Sequence, residues 1–156
     1  MMQKIELRKA RVKDLSAVYQ LEQYYIEEIE PWNLSKWLNA KMRVEEQLVI
    51  NTPRMIVALA GQKIIGHAYW SLCDEVPVVF SIYVCGKYRG CQVATRLLRA
   101  CEKEIAQAGY SRCHLATYKT NPAQHFFQAV GYKLVATGDW LDYEKVFSRQ
   151  AEPAVK

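Results

Sequence analysis

The sequence predicts an α+β fold with one mixed central sheet of about seven strands flanked by about four helices, in the order βααβββαβαββ. Three features lead there. Short β-branched and aromatic runs alternate with amphipathic stretches and are separated by turn residues. Residues 77–84 (PVVFSIYV) are so continuously apolar that they belong in the middle of a sheet, buried on both faces. A long amphipathic helix then separates that strand from the next, which calls for a parallel crossover. At 156 residues, with 51% hydrophobic and 24% charged side chains, the chain has the size and composition of one folded domain. A disordered, collagen-like or low-complexity protein is excluded. The domain is expected over residues 1–148, with a C-terminal tail at 149–156.

Residues 4–10 read as the first strand. Residues 12–30 follow as a helix, because Leu15, Val18, Tyr19, Leu21, Tyr25 and Ile29 recur near the helical period and Pro31 ends it. A second helix is expected over residues 34–50, starting near Ser35, with Trp37, Leu38, Met42 and Leu48 along one stripe and Asn51, Thr52 and Pro53 as its stop. Residues 55–60 and 63–72 are apolar strands joined by a tight hairpin at Gly61-Gln62, and Gly66 marks a bulge in the second. In the long helix, residues 92–108, Val93, Leu97, Leu98, Cys101 and Ile105 share the inner side. Arg96, Arg99, Glu102 and Lys103 lie outside, and Gly109 stops it. A short strand at 113–117, a short helix at 121–130 ended by Gly131, and strands at 132–135 and 140–147 around Gly138-Asp139 complete the order.

Composition narrows the function. Five cysteines are an odd number without the paired close spacing of a zinc site, which fits reduced thiols and no metal. The longest uncharged apolar run, between Glu75 and Lys87, is shorter than the ~20 residues of a membrane span, and no signal-peptide pattern opens the chain, so a soluble cytoplasmic protein is expected. The net charge is +5, and basic residues group only modestly, at Lys87, Arg89, Arg96 and Arg99. That suits a phosphate-bearing ligand; neither a nucleic acid nor a membrane is expected as partner.

Residues 84–94 (VCGKYRGCQVA) run from the buried strand through a tight turn into a helix N-terminus. The first N–H groups of a helix have no partner within it and the helix dipole is positive there, so such a turn can hold a pyrophosphate, with Lys87 and Arg89 adding charge.

Residues 88–98 (YRGCQVATRLL) and 120–132 (TNPAQHFFQAVGY) together resemble the two signature segments of the GNAT acyltransferase superfamily. The likeness extends over residues 55–147 in element order and more loosely over the two N-terminal helices. It implies a single GNAT-like domain with acetyl-CoA as co-substrate, which transfers acetyl directly to a primary amine of a small molecule or a protein or peptide, without metal. It also suggests a homodimer through the terminal strands. Carried over by position, Arg89, Gly90, Cys91, Gln92, Val93 and Ala94 would wrap the pyrophosphate with Thr95 close behind. The backbone of Ile82, Tyr83 and Val84 would pair with pantetheine. Asn121 would be the polar contact of the second segment, although it lies one residue nearer Gly131-Tyr132 than in many relatives.

Two departures stand out. Gln92 occupies a place most often held by glycine, where a missing Cβ lets the backbone approach phosphate. Phe127 stands where many relatives carry a tyrosine that protonates the departing thiolate. A thiol of pKa ~8.5 is a fair leaving group, so that loss slows a transferase rather than stopping it.

An alkylammonium of pKa ~10.4 is neutral in only about one molecule in 2,500 at pH 7, so a base is needed. The strand entering the cofactor turn has no carboxylate; Asp74 and Glu75 just before it are the nearest, and Glu75 is the candidate. Tyr118 is the candidate hydroxyl near the sulfur. His67 and His114 sit in strands and read as core or half-exposed histidines. Cys91 lies at a helix N-terminus, which favours its thiolate, but has no histidine beside it in sequence. For the acceptor, Tyr24, Tyr25, Trp32 and Trp37, interleaved with Glu22, Glu27, Glu28 and Glu30, read either as an aromatic and acidic rim that attracts a cation or as core aromatics beside a solvated acidic helix face; Tyr24, Tyr25, Glu28 and Trp32 are the candidate acceptor contacts. The rivals are a non-catalytic acyl-CoA sensor on the same fold, suggested by Phe127, and a nucleic-acid-binding module, suggested by the net charge.

Overall fold

A computed structural model of the chain describes residues 4–90 and 92–147. Strands β1 (Ile5–Lys9), β2 (Met55–Ala60), β3 (Lys63–Cys73), β4 (Val76–Val84), β5 (Arg112–Tyr118), β6 (Lys133–Ala136) and β7 (Trp140–Val146) form one 7-stranded sheet. The spatial order is β1-β2-β3-β4-β5-β7-β6. All neighbours are antiparallel except β4 and β5. The helices are α1 (Leu15–Ile29), α2 (Leu34–Asn39), α3 (Lys41–Asn51), α4 (Val93–Gln107) and α5 (Gln124–Ala129). The crossover through α4 is the parallel connection expected from the sequence. The expected C-terminal tail lies outside the described residues.

The first helix begins where the sequence places it, after a single 3₁₀ turn at Val12–Asp14. Asp14 is buried and holds that corner: Arg8 donates to both its oxygens at 2.8 and 3.0 Å, and the Arg11 N–H donates at 2.7 Å. These donors lower the Asp14 carboxyl below the usual range, the Arg8 hydrogen bonds most, against the opposing pull of burial.

The expected second helix divides in two at Ala40 (φ −99°, ψ 22°). No proline or glycine causes this. Trp37 on α2 packs on Tyr19 with ring centroids 4.7 Å apart, while α3 buries Leu48 and Asn51. One straight helix would carry the expected stripe of Trp37, Leu38, Met42 and Leu48 past the core, and in the structure Leu38 and Met42 are exposed. The break turns Val44, Leu48 and Asn51 inward instead.

Two cores sandwich the sheet. On one face α4 contributes Val93, Leu97, Leu98, Cys101 and Ile105, the side read from its periodicity, and packs on Ile65, Ala68, Val79 and Leu115. On the other, Val18 of α1 and Leu48 of α3 meet Met55 and Val57. Gly66 serves the first face. A Cβ there would lie 3.0 Å from the Tyr83 carbonyl oxygen, so a side chain would press on the backbone of β4, while Leu97 Cδ1 of α4, at 3.4 Å, already sits in contact distance. The β2–β3 register shifts beside it, between Ala58 and Leu59, near the bulge the sequence marked.

β4 departs from expectation. It was read as buried on both faces, yet Phe80 is exposed and Ser81, Ile82 and Tyr83 are half-buried. The cause is pairing: β5 meets β4 only at Val78↔His114 and Val79↔Leu115, and beyond these the strands separate. A register shift on the other side, between Tyr69 and Trp70, leaves Phe80 as an extra residue in β4. The bulge turns Phe80 and Ser81 toward the α1 face, where Phe80 stacks on Tyr69 at 6.4 Å.

Candidate active site

The wedge between β4 and β5 opens toward the C-terminal ends of both strands, where the chain leaves β4 for the turn into α4. From Phe80 onward the β5 side of β4 carries no strand. The backbone there can therefore pair with an extended ligand, as expected for Ile82, Tyr83 and Val84. One of these groups is taken: the Val84 carbonyl accepts from Arg89 Nε at 2.9 Å.

The turn is built for an anion by its backbone. Gly90 has φ +83° and a Cβ placed there would meet no atom within 4 Å, so the chain is open to a ligand. Gln92, the cap residue of α4, has φ +62° and ψ 18°. This left-handed conformation is the physical reason a glycine suits the position. Val93 is buried and offers only its N–H, while Ala94 and Thr95 complete the first helical turn at the positive end of the dipole. Cys91 lies outside the described residues. Gln92→Gly is expected to relieve about 1 kcal/mol of backbone strain. It should raise Tm by roughly 2–4 °C and tighten coenzyme A binding, both readable by thermal unfolding and titration calorimetry.

Arg89, at the start of this turn, is tied to α1. Its guanidinium grips Glu28 of α1 through two bonds, 2.6 and 2.9 Å, and lies 5.1 Å over the Tyr83 ring. Tyr83 also donates to Glu28, at 3.0 Å. The Arg89 hydrogen bonds hold the Glu28 carboxyl below the usual range, and burial pushes the Tyr83 phenol up to about 12.

The C-terminal end of α1 spans the wedge. Tyr25 donates to Glu30 at 2.8 Å, Asn33 donates to the other Glu30 oxygen at 3.0 Å, and Asn121 follows the end of β5, its N–H donating to the Tyr118 carbonyl at 2.9 Å. Asn121 also caps its own turn, accepting the Ala123 N–H at 2.9 Å. Beyond it, three rings from three elements meet: Trp32 on Tyr118 at 4.8 Å and Tyr118 on Trp140 at 5.5 Å. Trp32 and Trp140 are about half exposed, 56% and 46%. This open aromatic corner can accept the face of a cation or an apolar chain.

Tyr25, Glu28, Trp32, Tyr83, Arg89, Tyr118 and Asn121 thus gather around one wedge. Tyr24 does not. It lines a separate groove of about 810 Å³ with Arg8, Arg11, Gln20, Lys63 and Cys85. Asp74 and Glu75 form the β3–β4 turn, at φ +52° and +66°, at the end of β4 opposite the cofactor turn. Five residues of strand, roughly 16 Å, separate Glu75 from Phe80, so the structure does not bring it to the wedge. Phe127 is buried against Phe126, Tyr132 and Tyr143 as core. His114 pairs with Glu144 at 3.1 Å on the neighbouring strand. Among the described residues there is no group of three metal-ligating side chains, and no helix is long and apolar enough to cross a membrane.

A carboxylate does reach β4, from the acidic residues of the first helix, which the sequence reads as a rim for the acceptor rather than as the base. Glu22 of α1 accepts from His67 Nε2 at 2.8 Å and, in a short bond, from the Ser81 hydroxyl. The signal was present: Glu22 lies four residues after Val18 and three before Tyr25, on the inner stripe of its helix. Burial pushes the Glu22 carboxyl up, but the His67 and Ser81 donors outweigh it and leave the group below its usual range.

The seven-stranded sheet with its parted β4 and β5 has the form expected of the GNAT type, and comparison with known proteins shows the family. The acetyltransferase (GNAT) family model matches residues 14–132. The chain belongs to the GNAT acetyltransferase family. A search of curated protein sequences returns no match. Among solved structures, PaiA N-acetyltransferase from Thermoplasma acidophilum, in complex with coenzyme A, superposes with a TM-score of 0.79. The two are 19% identical over 92% of this chain and 99% of that one. An acetyltransferase from Streptococcus agalactiae gives 0.72 at 17% identity, over 94% and 100%. N-acetylglutamate synthase from Neisseria gonorrhoeae, complexed with coenzyme A and N-acetyl-glutamate, gives 0.76 at 13%, over 96% of this chain and 36% of that one.

Proposed function

We propose that the chain is an N-acetyltransferase that moves the acetyl group of acetyl-CoA directly to a primary amine of a small molecule or of a protein or peptide. The observation that carries this reading is the wedge between β4 and β5, which opens onto the anion-binding turn at Gly90 to Thr95. The pyrophosphate meets the backbone N–H groups of that turn, supported by Lys87 and by Arg89. The pantetheine arm follows the unpaired edge of Ile82, Tyr83 and Val84, with Asn121 on the far side. The thioester then lies near the bulge at Phe80, and the amine approaches from the α1 face, past Tyr25, Glu28 and the aromatic corner of Trp32. Tyr118, also in that corner, is the candidate hydroxyl for protonating the departing thiolate. Glu75 is too far to act as the base.

Thermal unfolding with ~1 mM acetyl-CoA tests the cofactor site. At a hundredfold excess over Kd, binding stabilises by about 2.7 kcal/mol, roughly 5–10 °C in Tm for this size, and free coenzyme A should act similarly. No shift with either ligand removes the assignment. The burial of Phe127, without a hydroxyl, favours a second reading in which the fold senses acyl-CoA without turnover. Release of free thiol with any amine of a panel excludes it.

A further inference from the structure

The three side chains Glu22, His67 and Ser81 form a polar cluster inside an otherwise apolar layer. His67 is 0% exposed and Glu22 16%. Within it the hydrogen bonds have a direction. An ionised carboxylate only accepts, so the Ser81 hydroxyl proton points at Glu22 Oε2 and the hydrogen between ring and carboxylate lies on His67 Nε2. His67 Nε2 is also 3.1 Å from Ser81 Oγ, which fixes the hydroxyl's position. His67 Nδ1 is buried with no partner, a cost that a purely structural histidine would avoid. With its proton committed to Glu22, Ser81 Oγ keeps lone-pair capacity as an acceptor. It does so beside the bulge, on the half-buried part of β4 that has no strand on its β5 side.

Resting on the N-acetyltransferase reading, we propose that Ser81 is the group that takes the proton of the incoming ammonium and hands its own to Glu22, with His67 as the positioning residue. The acceptor arrives as R-NH₃⁺. One proton moves to Ser81 Oγ as the Ser81 proton moves to Glu22 Oε2. The free amine attacks the thioester carbonyl; the C–N bond forms, the C–S bond breaks, and the electron pair leaves on sulfur. The nitrogen's second proton ends on the thiolate, giving coenzyme A thiol, and Glu22 returns the first to solvent through Ser81. Atoms and charge balance as one amide, one thiol and one released proton.

Few other groups intrude on this relay. Burial raises the phenols of Tyr25 on α1 and Tyr69 on β3, Tyr25 also through Glu30, and the Glu22 charge adds to both. Tyr83 stands opposite His67 in register on β4, with its hydroxyl on Glu28. β2 places Val57 across from His67, and α3 adds the apolar Val44 and Leu48. None of these three tyrosines changes charge between pH 5 and 9.

The test compares two acceptors with acetyl-CoA at pH 7, reading thiol release: n-butylamine, which arrives protonated, and 2,2,2-trifluoroethylamine, whose electron-withdrawing group leaves it mostly neutral. Ser81→Ala and Glu22→Gln are expected to lose about a hundredfold or more on n-butylamine but less than about threefold on trifluoroethylamine, which needs no base for its first proton. With the relay removed, kcat/KM for n-butylamine should climb about tenfold per pH unit below the amine's pKa, because only solvent then makes the free amine. Equal losses on both amines would mean a structural role, and no loss would remove Ser81 from the proton path. In either case the N-acetyltransferase reading stands. A wild-type protein that releases thiol with neither of these amines nor with any amine or peptide of a panel would overturn that reading and the relay with it. Thermal unfolding of both variants separates misfolding from chemistry, and Ser81→Ala, the smaller change, decides alone if Glu22→Gln does not fold.

Discussion

Replacing Arg89 with glutamate is expected to weaken coenzyme A binding more than a hundredfold while moving the unfolding temperature little. The two halves of that result have different causes. The Arg89–Glu28 pair is bidentate but its side chains are 44% and 41% exposed, and exposed pairs contribute only about 0–1 kcal/mol to stability. Reversing the charge beside a bound pyrophosphate acts more strongly. At about 5 Å and an effective dielectric near 20, each unit of charge is worth on the order of 3 kcal/mol, which exceeds the ~2.7 kcal/mol of a hundredfold change. Glu28→Gln separates the possible roles of the arginine. It frees the guanidinium and removes a negative charge from beside the turn, so it should tighten binding. If instead it loosens binding as Arg89→Gln does, Arg89 serves as the anchor of α1 and not as a phosphate contact. Titration calorimetry of the three variants with coenzyme A resolves this.

Leu97→Ala is expected to be the most destabilising single change near the site. Leu97 is fully buried in the second turn of α4, against the sheet at Gly66. Truncating a buried leucine costs about 2–5 kcal/mol in transfer and cavity terms, which lowers Tm by roughly 5–15 °C in a domain of this size. The loss should reach the site, because α4 begins at the cofactor turn. A helix that can rock on the sheet no longer holds the N–H groups of Val93, Ala94 and Thr95 in one geometry. Coenzyme A affinity should therefore fall along with stability, although Leu97 touches no ligand. Unfolding that leaves affinity at the wild-type value would show the turn to be rigid on its own.

Much of the molecule was legible from residue order. The periodicity of α4 named its five buried residues because a helix repeats every 3.6 residues whatever it packs on. The anion turn was legible for a similar reason: a strand, a glycine-containing turn and a helix start are local features. Legibility ended where contacts are long in sequence. One continuous pattern over residues 34–50 contains no breaker, and only the docking of Trp37 on Tyr19 splits it. Glu75, adjacent in sequence to β4, is removed from the wedge by the length of the strand. Glu22, 59 residues from Ser81, touches it. Trp140 joins Trp32 and Tyr118 through the insertion of β7 between β5 and β6, an order no local pattern announces.

By itself, then, the sequence determined the elements, the family signature and the glycine-containing turn from β4 into α4, since each depends on neighbours within a few residues. The tertiary structure alone decided where β4 parts from β5, which acid reaches the strand, and that Arg89 rests on Glu28. These depend on distances between residues far apart in the chain. Sheet register, bulge placement and helix docking set those distances, and they are chosen by packing of the whole core rather than by any one segment.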